Sequence, residues 1–154
     1  MMSPASEILR GLSGKTLATA ESCTGGMIGE MLTAVPGSSA VYKGGVISYW
    51  SEIKASMLGV DEEILRRFGA VSAPVAEAMA KGVRKLLETD VAVSVTGLAG
   101  PSGDEFGNPV GTVFIGYADE EKTVVREFCF SGDREAVRRQ AAVAALEIIQ
   151  KNCK

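Results

Sequence analysis

The chain has 154 residues, 46% of them hydrophobic and 23% charged, with a mean hydropathy of +0.16, which suits one globular domain with a core that needs no disulfide or structural metal. Its 16 Lys and Arg against 19 Asp and Glu leave a net charge of −3 and an isoelectric point near 5.1. Nothing in that balance points to a chain built to hold nucleic acid or an anionic membrane surface.

Histidine is absent. With it go Ser-His-Asp and Cys-His catalysis, His-ligated metals and the commonest general base, so an acid–base enzyme here must use Lys, Glu, Asp, Tyr or Cys. Cys23, Cys129 and Cys153 are odd in number, widely spaced and without a Cys-x-x-Cys pair, as expected of reduced cytosolic thiols. The N-terminus has no basic region or apolar run of signal-peptide length, and no stretch is long enough to span a bilayer. A cytoplasmic location is the expectation.

In chain order, residues 1–14 read as a short amphipathic helix carrying Ile8, Leu9 and Leu12 on one side. A strand over 16–20 runs into the polar loop Glu21–Gly26. A helical stripe of Ile28, Met31, Leu32 and Val35 follows and stops at Pro36-Gly37. Residues 41–49 read as a second strand, loosened by Gly44-Gly45. Short helices are expected at 52–57 and 61–68, with Gly69 ending the latter. Ser72 is placed to cap a helix through Glu88 that turns Val75, Met79, Val83, Leu86 and Leu87 inward.

The run 91–95 reads as a strand buried on both faces. Residues 97–111 form a loop with five of the chain's 18 glycines. Segments 112–118 and 123–130 form an antiparallel hairpin, and a helix over 133–151 buries Val137, Ala141, Ala144, Leu146 and Ile148. The order predicts an α/β fold: one domain over 1–154, three layers (α/β/α), with a mixed, mostly parallel sheet of about five strands and one strand reversed.

In such sheets ligands bind beyond the carboxyl ends of the strands. Two glycine-rich loops meet that rule, Glu21–Gly26 and Gly97–Gly103. The first opens into a helix whose free N–H groups favour negative charge, yet it matches neither GxxxxGK[ST] nor GxGxxG. At that turn Ser22 is either a nucleophile or a helix cap. Glu21, Thr24, Gly25 and Gly26 crowd around it, and Cys23 is the rival nucleophile. Strand alternation puts Ser22 and Cys23 on opposite sides, so only one can face a pocket. Lys54 is the available base if desolvation or a neighbouring cation lowers its pKa, with Tyr49 and Trp50 as apolar bulk nearby; spacing alone favours a solvated lysine paired with Glu52 or another surface carboxylate. Asp104 and Glu105 are substrate-orienting or metal-binding residues, or solvated loop tips. Arg134 and Arg138, four residues apart on one helical face, either clamp a phosphate or pair with Asp133 and Glu135.

Four segments carry a resemblance. They are Ala20-Glu21-Ser22-Cys23-Thr24-Gly25-Gly26; Gly44-Gly45-Val46-Ile47-Ser48-Tyr49 with Lys54 and Leu58-Gly59-Val60; Val95-Thr96-Gly97-Leu98-Ala99-Gly100-Pro101; and Gly132-Asp133-Arg134-Glu135-Ala136-Val137-Arg138. Together, from about residue 8 to 150, they resemble the CinA C-terminal domain family, in the form of its stand-alone members without the molybdopterin-binding-like domain. The resemblance implies a three-layer fold and amidohydrolysis of nicotinamide mononucleotide (NMN) to nicotinate mononucleotide and ammonia, with no cofactor and no metal. It carries the family's Ser–Lys pair onto Ser22 and Lys54, with Tyr49 beside them to position Lys54 or tune its pKa. Trp50 departs from the small polar residue usual there, a difference that bears on substrate preference.

Joined to the loop reading, the resemblance gives substrate-binding roles to Glu21, Cys23, Thr24, Gly25 and Gly26, and to Thr96, Gly97, Ala99 and Gly100. Amides near Cys23–Gly25 receive the oxyanion, and Arg134 or Arg138 meets the phosphate. The expected partner is a small nucleotide substrate, with no nucleic acid and no membrane. Apolar surface on the terminal helix is compatible with a homodimer. The competing reading is a non-catalytic pyridine-nucleotide-binding or regulatory module that uses the same loops and leaves Ser22 as a cap.

Overall fold

Strand and helix alternate along the first two thirds of the chain, as the periodicity predicts, in a computed structural model that describes residues 2–153. The elements are α1 (Pro4–Gly11), β1 (Leu17–Glu21), α2 (Met27–Thr33), a 3-10 turn (Ser38–Ala40), β2 (Tyr42–Ile47), α3 (Ser51–Leu58), α4 (Glu62–Phe68), α5 (Ala73–Leu87), β3 (Val91–Gly97), β4 (Thr112–Ala118), β5 (Thr123–Cys129) and α6 (Arg134–Asn152). The sheet order is β2-β1-β3-β4-β5. β1 runs parallel to β2 and β3, while β4 is antiparallel to both β3 and β5 and is therefore the one reversed strand.

Strand alternation sorts side chains into the two outer layers. Leu17, Val91, Val93 and Val95 face α1, α2 and α6, where Ile8, Leu32, Val137 and Ile149 complete the larger core. Ala18, Ala20 and Ala92 face the other way, onto Val75, Met79 and Val83 of α5 and Leu58 of α3. Small residues on that second face let α5 lie close to the sheet. A Cβ at Gly116 would stand 2.5 Å from the Ala76 carbonyl oxygen. The same face therefore leaves room, past the end of β1, for side chains approaching from α3.

The differences from expectation are local. α1 is shorter than residues 1–14 because Ser3 caps it, accepting from Ser6 N–H at 3.2 Å with Pro4 in its first turn. α2 starts at Met27 and stops at Thr33, with the 3-10 turn taking up the chain beyond Pro36-Gly37. Ser72 precedes α5 but does not cap it, since its hydroxyl donates to the Gly69 carbonyl instead. Leu86 is 45% exposed, because Val75, Met79 and Val83 step by four residues and Leu87, partly buried, continues the stripe. α6 buries Val137, Ala141, Ala144, Leu146 and Ile148 as read, leaves Val143 exposed, and is capped by Asp133. Among the described residues, no helix is long and apolar enough to cross a membrane.

Candidate active site

β1 delivers two neighbouring residues to opposite sides of the sheet. Glu21 turns toward α2. Its Oε1 accepts from Thr24 Oγ1 at 2.7 Å, Ile28 N–H at 2.9 Å and Gly26 N–H at 3.2 Å, while Oε2 accepts from Gly29 N–H at 3.0 Å. The donors at the start of α2, read from sequence as open to an anion, are thus held by the chain's own carboxylate. Gly26, at φ +108°, is the N-cap of α2, a conformation a side chain would strain. Ser22 is therefore not the cap of that helix.

Ser22 turns to the α3 side and meets Lys54. The lysine Nζ lies 2.9 Å from Ser22 Oγ and donates to the carbonyl oxygens of Ser48 at 2.7 Å and Tyr49 at 3.4 Å. Lys54 is 1% exposed. Among the described residues no carboxylate pairs with it, and burial lowers its pKa from 10.5 to about 8. The solvated lysine paired with Glu52 or another surface carboxylate, which spacing favours, is not what forms. β1–β2 pairing explains the placement: Ser48 N–H donates to Glu21 O at 2.7 Å, and this carries the start of α3 over the end of β1.

Cys23 follows the alternation in packing into the larger apolar core, but it also borders the same pocket as Ser22, so the expectation that only one of the two could face it does not hold. Burial pushes its thiol up to about 11, so it stays protonated at neutral pH, the reverse of a reactive cysteine. Of the two rivals, Ser22 is the one that meets a base. Cys129, exposed at the end of β5, is also a free thiol.

A pocket of about 290 Å³ opens over this pair. Ser22, Cys23, Tyr49, Lys54, Thr96, Gly97, Ala99, Gly100 and Arg134 line it, so the structure brings together nine of the residues singled out from sequence. Thr96 is buried and its hydroxyl ties β3 to the Ala70 carbonyl at 2.7 Å. Gly97 has no room for a side chain, since a Cβ there would lie 2.6 Å from Val113 Cγ2, 3.0 Å from the Thr112 carbonyl oxygen and 3.2 Å from Cys23 Sγ. Arg134 spans the mouth, donating to Gly100 O at 2.6 Å and to the Tyr49 hydroxyl at 2.8 Å. Tyr49 thus meets Lys54 through its carbonyl and Arg134 through its ring oxygen.

Glu21, Thr24, Gly25, Gly26 and Arg138 do not line the pocket; they form and brace the loop behind Ser22. Neither arginine pairs with Asp133 or Glu135; the ion pair there is Arg139–Glu135. Asp104 is spent on its own loop, accepting from Phe106 N–H, Asn108 N–H and Asn108 Nδ2. Sequence reasoning missed Ser48, whose carbonyl makes the shortest bond to Lys54, and the lining residues Ala70 and Val71 between α4 and α5. The strand signal ending beside Tyr49 could have pointed to Ser48. Nothing local marks the other two.

Known proteins share this arrangement of elements. The description CinA C-terminal domain matches residues 3–153. The nicotinamide-nucleotide amidohydrolase PncC of Escherichia coli is 48% identical over 137 residues, 88% of this chain and 83% of that protein. A CinA-like protein of Thermotoga neapolitana is 49% identical over 140 residues, 91% of this chain but 34% of that protein, so the chain spans about a third of the length of such relatives. The crystal structure of competence damage-inducible protein A from Klebsiella pneumoniae superposes with a TM-score of 0.94 at 36% identity, covering 97% of this chain and 94% of that one. With the family description covering nearly every residue and the fold repeated in a solved structure, the chain belongs to the CinA C-terminal domain family.

Proposed function

We propose that the chain is a nicotinamide-nucleotide amidohydrolase that converts NMN and water to nicotinate mononucleotide and ammonia through a Ser22–Lys54 acyl-enzyme. The observation that carries this reading is the buried Lys54 amine 2.9 Å from the Ser22 hydroxyl at the floor of the pocket. The activity in the name of the Escherichia coli relative agrees with it.

In this mechanism neutral Lys54 takes the Ser22 proton as Oγ attacks the carboxamide carbon. The developing oxyanion is received by the Cys23 and Thr24 amides; among the described residues neither is bonded to another residue, the Cys23 N–H facing only its own sulfur, whereas Gly25 N–H is already taken by Ser22 O at 3.0 Å. A well-placed donor of this kind contributes about 3–4 kcal/mol. Lys54 then protonates the departing ammonia. Water attacks the acyl ester as Lys54 accepts its proton, Lys54 passes that proton to Ser22 Oγ as the ester C–O bond breaks, and the released carboxylic acid ionises to nicotinate mononucleotide. Arg134, exposed at the mouth, exchanges its bonds to Gly100 O and Tyr49 for the nucleotide phosphate, while the loop 97–103 holds the ribose side.

The test is ammonia release from NMN by wild type and Ser22→Ala, both treated with chelator. Turnover in the wild type that the variant loses is the expected result. Wild type that binds NMN and releases no ammonia would give the non-catalytic binding module the lead.

A further inference from the structure

Arg138 of α6 reaches across 115 residues of sequence to the loop behind the nucleophile. Its Nε donates to Cys23 O at 2.9 Å and its Nη2 to Thr24 O at 3.2 Å. Gly25, at φ +59°, lets the loop pass close beneath, since a Cβ there would stand 3.3 Å from Nη2. On the loop's other side Glu21 holds Gly26, Ile28 and Gly29 N–H.

The C=O and N–H of a trans peptide lie in one plane and point opposite ways. A guanidinium on Cys23 O therefore turns the Thr24 N–H to the far side of that peptide. The Gly25 N–H on Ser22 O does the same for the Cys23 N–H. A cation bonded to a carbonyl oxygen also polarises the peptide and strengthens its N–H as a donor. Two of Arg138's donors are committed to these carbonyls, whereas Arg134 stands exposed at the pocket mouth.

We propose that Arg138 is a positioning residue: bonded to the Cys23 carbonyl it aims and polarises the Thr24 amide that receives the oxyanion, through the Thr24 carbonyl it fixes the Gly25 N–H on Ser22 O and with it the direction of the Cys23 amide, and it does not read the nucleotide phosphate. The inference rests on the amidohydrolase reading above.

The experiment compares wild type, Arg138→Ala and Arg138→Lys in three readouts: ammonia release from NMN, calorimetric affinity for nicotinate mononucleotide, and the rate at which a fluorophosphonate labels Ser22. In labelling, Ser22 Oγ bonds to phosphorus, the P–F bond breaks, fluoride leaves and the serine proton passes to Lys54. Negative charge builds on the phosphoryl oxygen at the same amides. For Arg138→Ala the expected result is a loss on the order of 10²-fold in kcat and in labelling rate, with KM and product affinity unchanged. Millimolar guanidinium should restore part of both rates. Arg138→Lys, which keeps the charge and should still fold if the alanine variant does not, is expected to fall between.

A variant with kcat and labelling intact overturns the proposal. So does one that weakens KM and product affinity while turning over normally, which would return Arg138 to the phosphate. Wild type that labels but releases no ammonia overturns the substrate reading alone, and the labelling rates still judge Arg138. Wild type that does not label overturns the nucleophile and this inference together.

Discussion

Lys54 shows how much one residue's surroundings decide. A neutral amine has two N–H donors and one lone pair. The Ser48 and Tyr49 carbonyls can only accept, so the lone pair is left for the Ser22 hydroxyl. With its pKa lowered to about 8 by burial, the base form gains population as pH rises. kcat/KM, which reports ionisations of the free enzyme, is therefore expected to climb through an apparent pKa near 8 and then level off in a pH–rate profile. Lys54→Arg should lose activity as fully as Lys54→Ala, about 10²–10⁴-fold in steady-state assays, because arginine does not deprotonate. Cys23→Ala should keep most of the activity, and mass spectrometry of iodoacetamide-treated native protein should find Cys129 modified before Cys23, whose thiol is buried and stays protonated.

At the scale of elements, α5 separates two leucine-like positions that composition treats alike. Met79→Ala, beneath the sheet's alanine face, should cost about 2–5 kcal/mol. Leu86→Ala, on the solvent side, should change stability by no more than about 0.5 kcal/mol. Urea denaturation of the two variants checks the pair. Element types and their order were legible because apolar spacing of two or of three-and-four marks strands and helices directly. Both glycine loops were legible for the same reason, lying just past strand ends. The burial of Lys54 was not. A lysine on a short helix reads as solvated, and only the β1–β2 register, which hangs α3 over Ser22, takes it out of water. The division of labour between Arg134 and Arg138 was equally hidden, because both sit on one helical face. Depth against the β1–α2 loop, which no spacing encodes, sends one to the mouth and the other to the backbone.

Across the whole molecule, a buried base has a cost that pH reveals. Lys54 carries a folded pKa of about 8 against 10.5, so between those values the unfolded chain binds the extra proton and stability rises with pH. Cys23, raised from 9.0 to about 11, works in the other direction, because the unfolded chain loses its proton first. Comparing wild type with Lys54→Met removes most of the cysteine contribution. Wild type should gain roughly 3 kcal/mol on that variant between pH 8 and 10.5 in denaturant titrations. The Glu21 carboxylate has a different reach. Seated among the amides of α2, it is a resident anion that a nucleotide cannot displace from its covalent tether, and it repels any second negative group brought to that end of β1. Of the two ends of an NMN molecule, only the uncharged carboxamide can approach Ser22 without meeting that repulsion. In the proposed reaction this would leave the phosphate to the outer rim with Arg134, so that the direction in which NMN enters would be set by a group that never touches it.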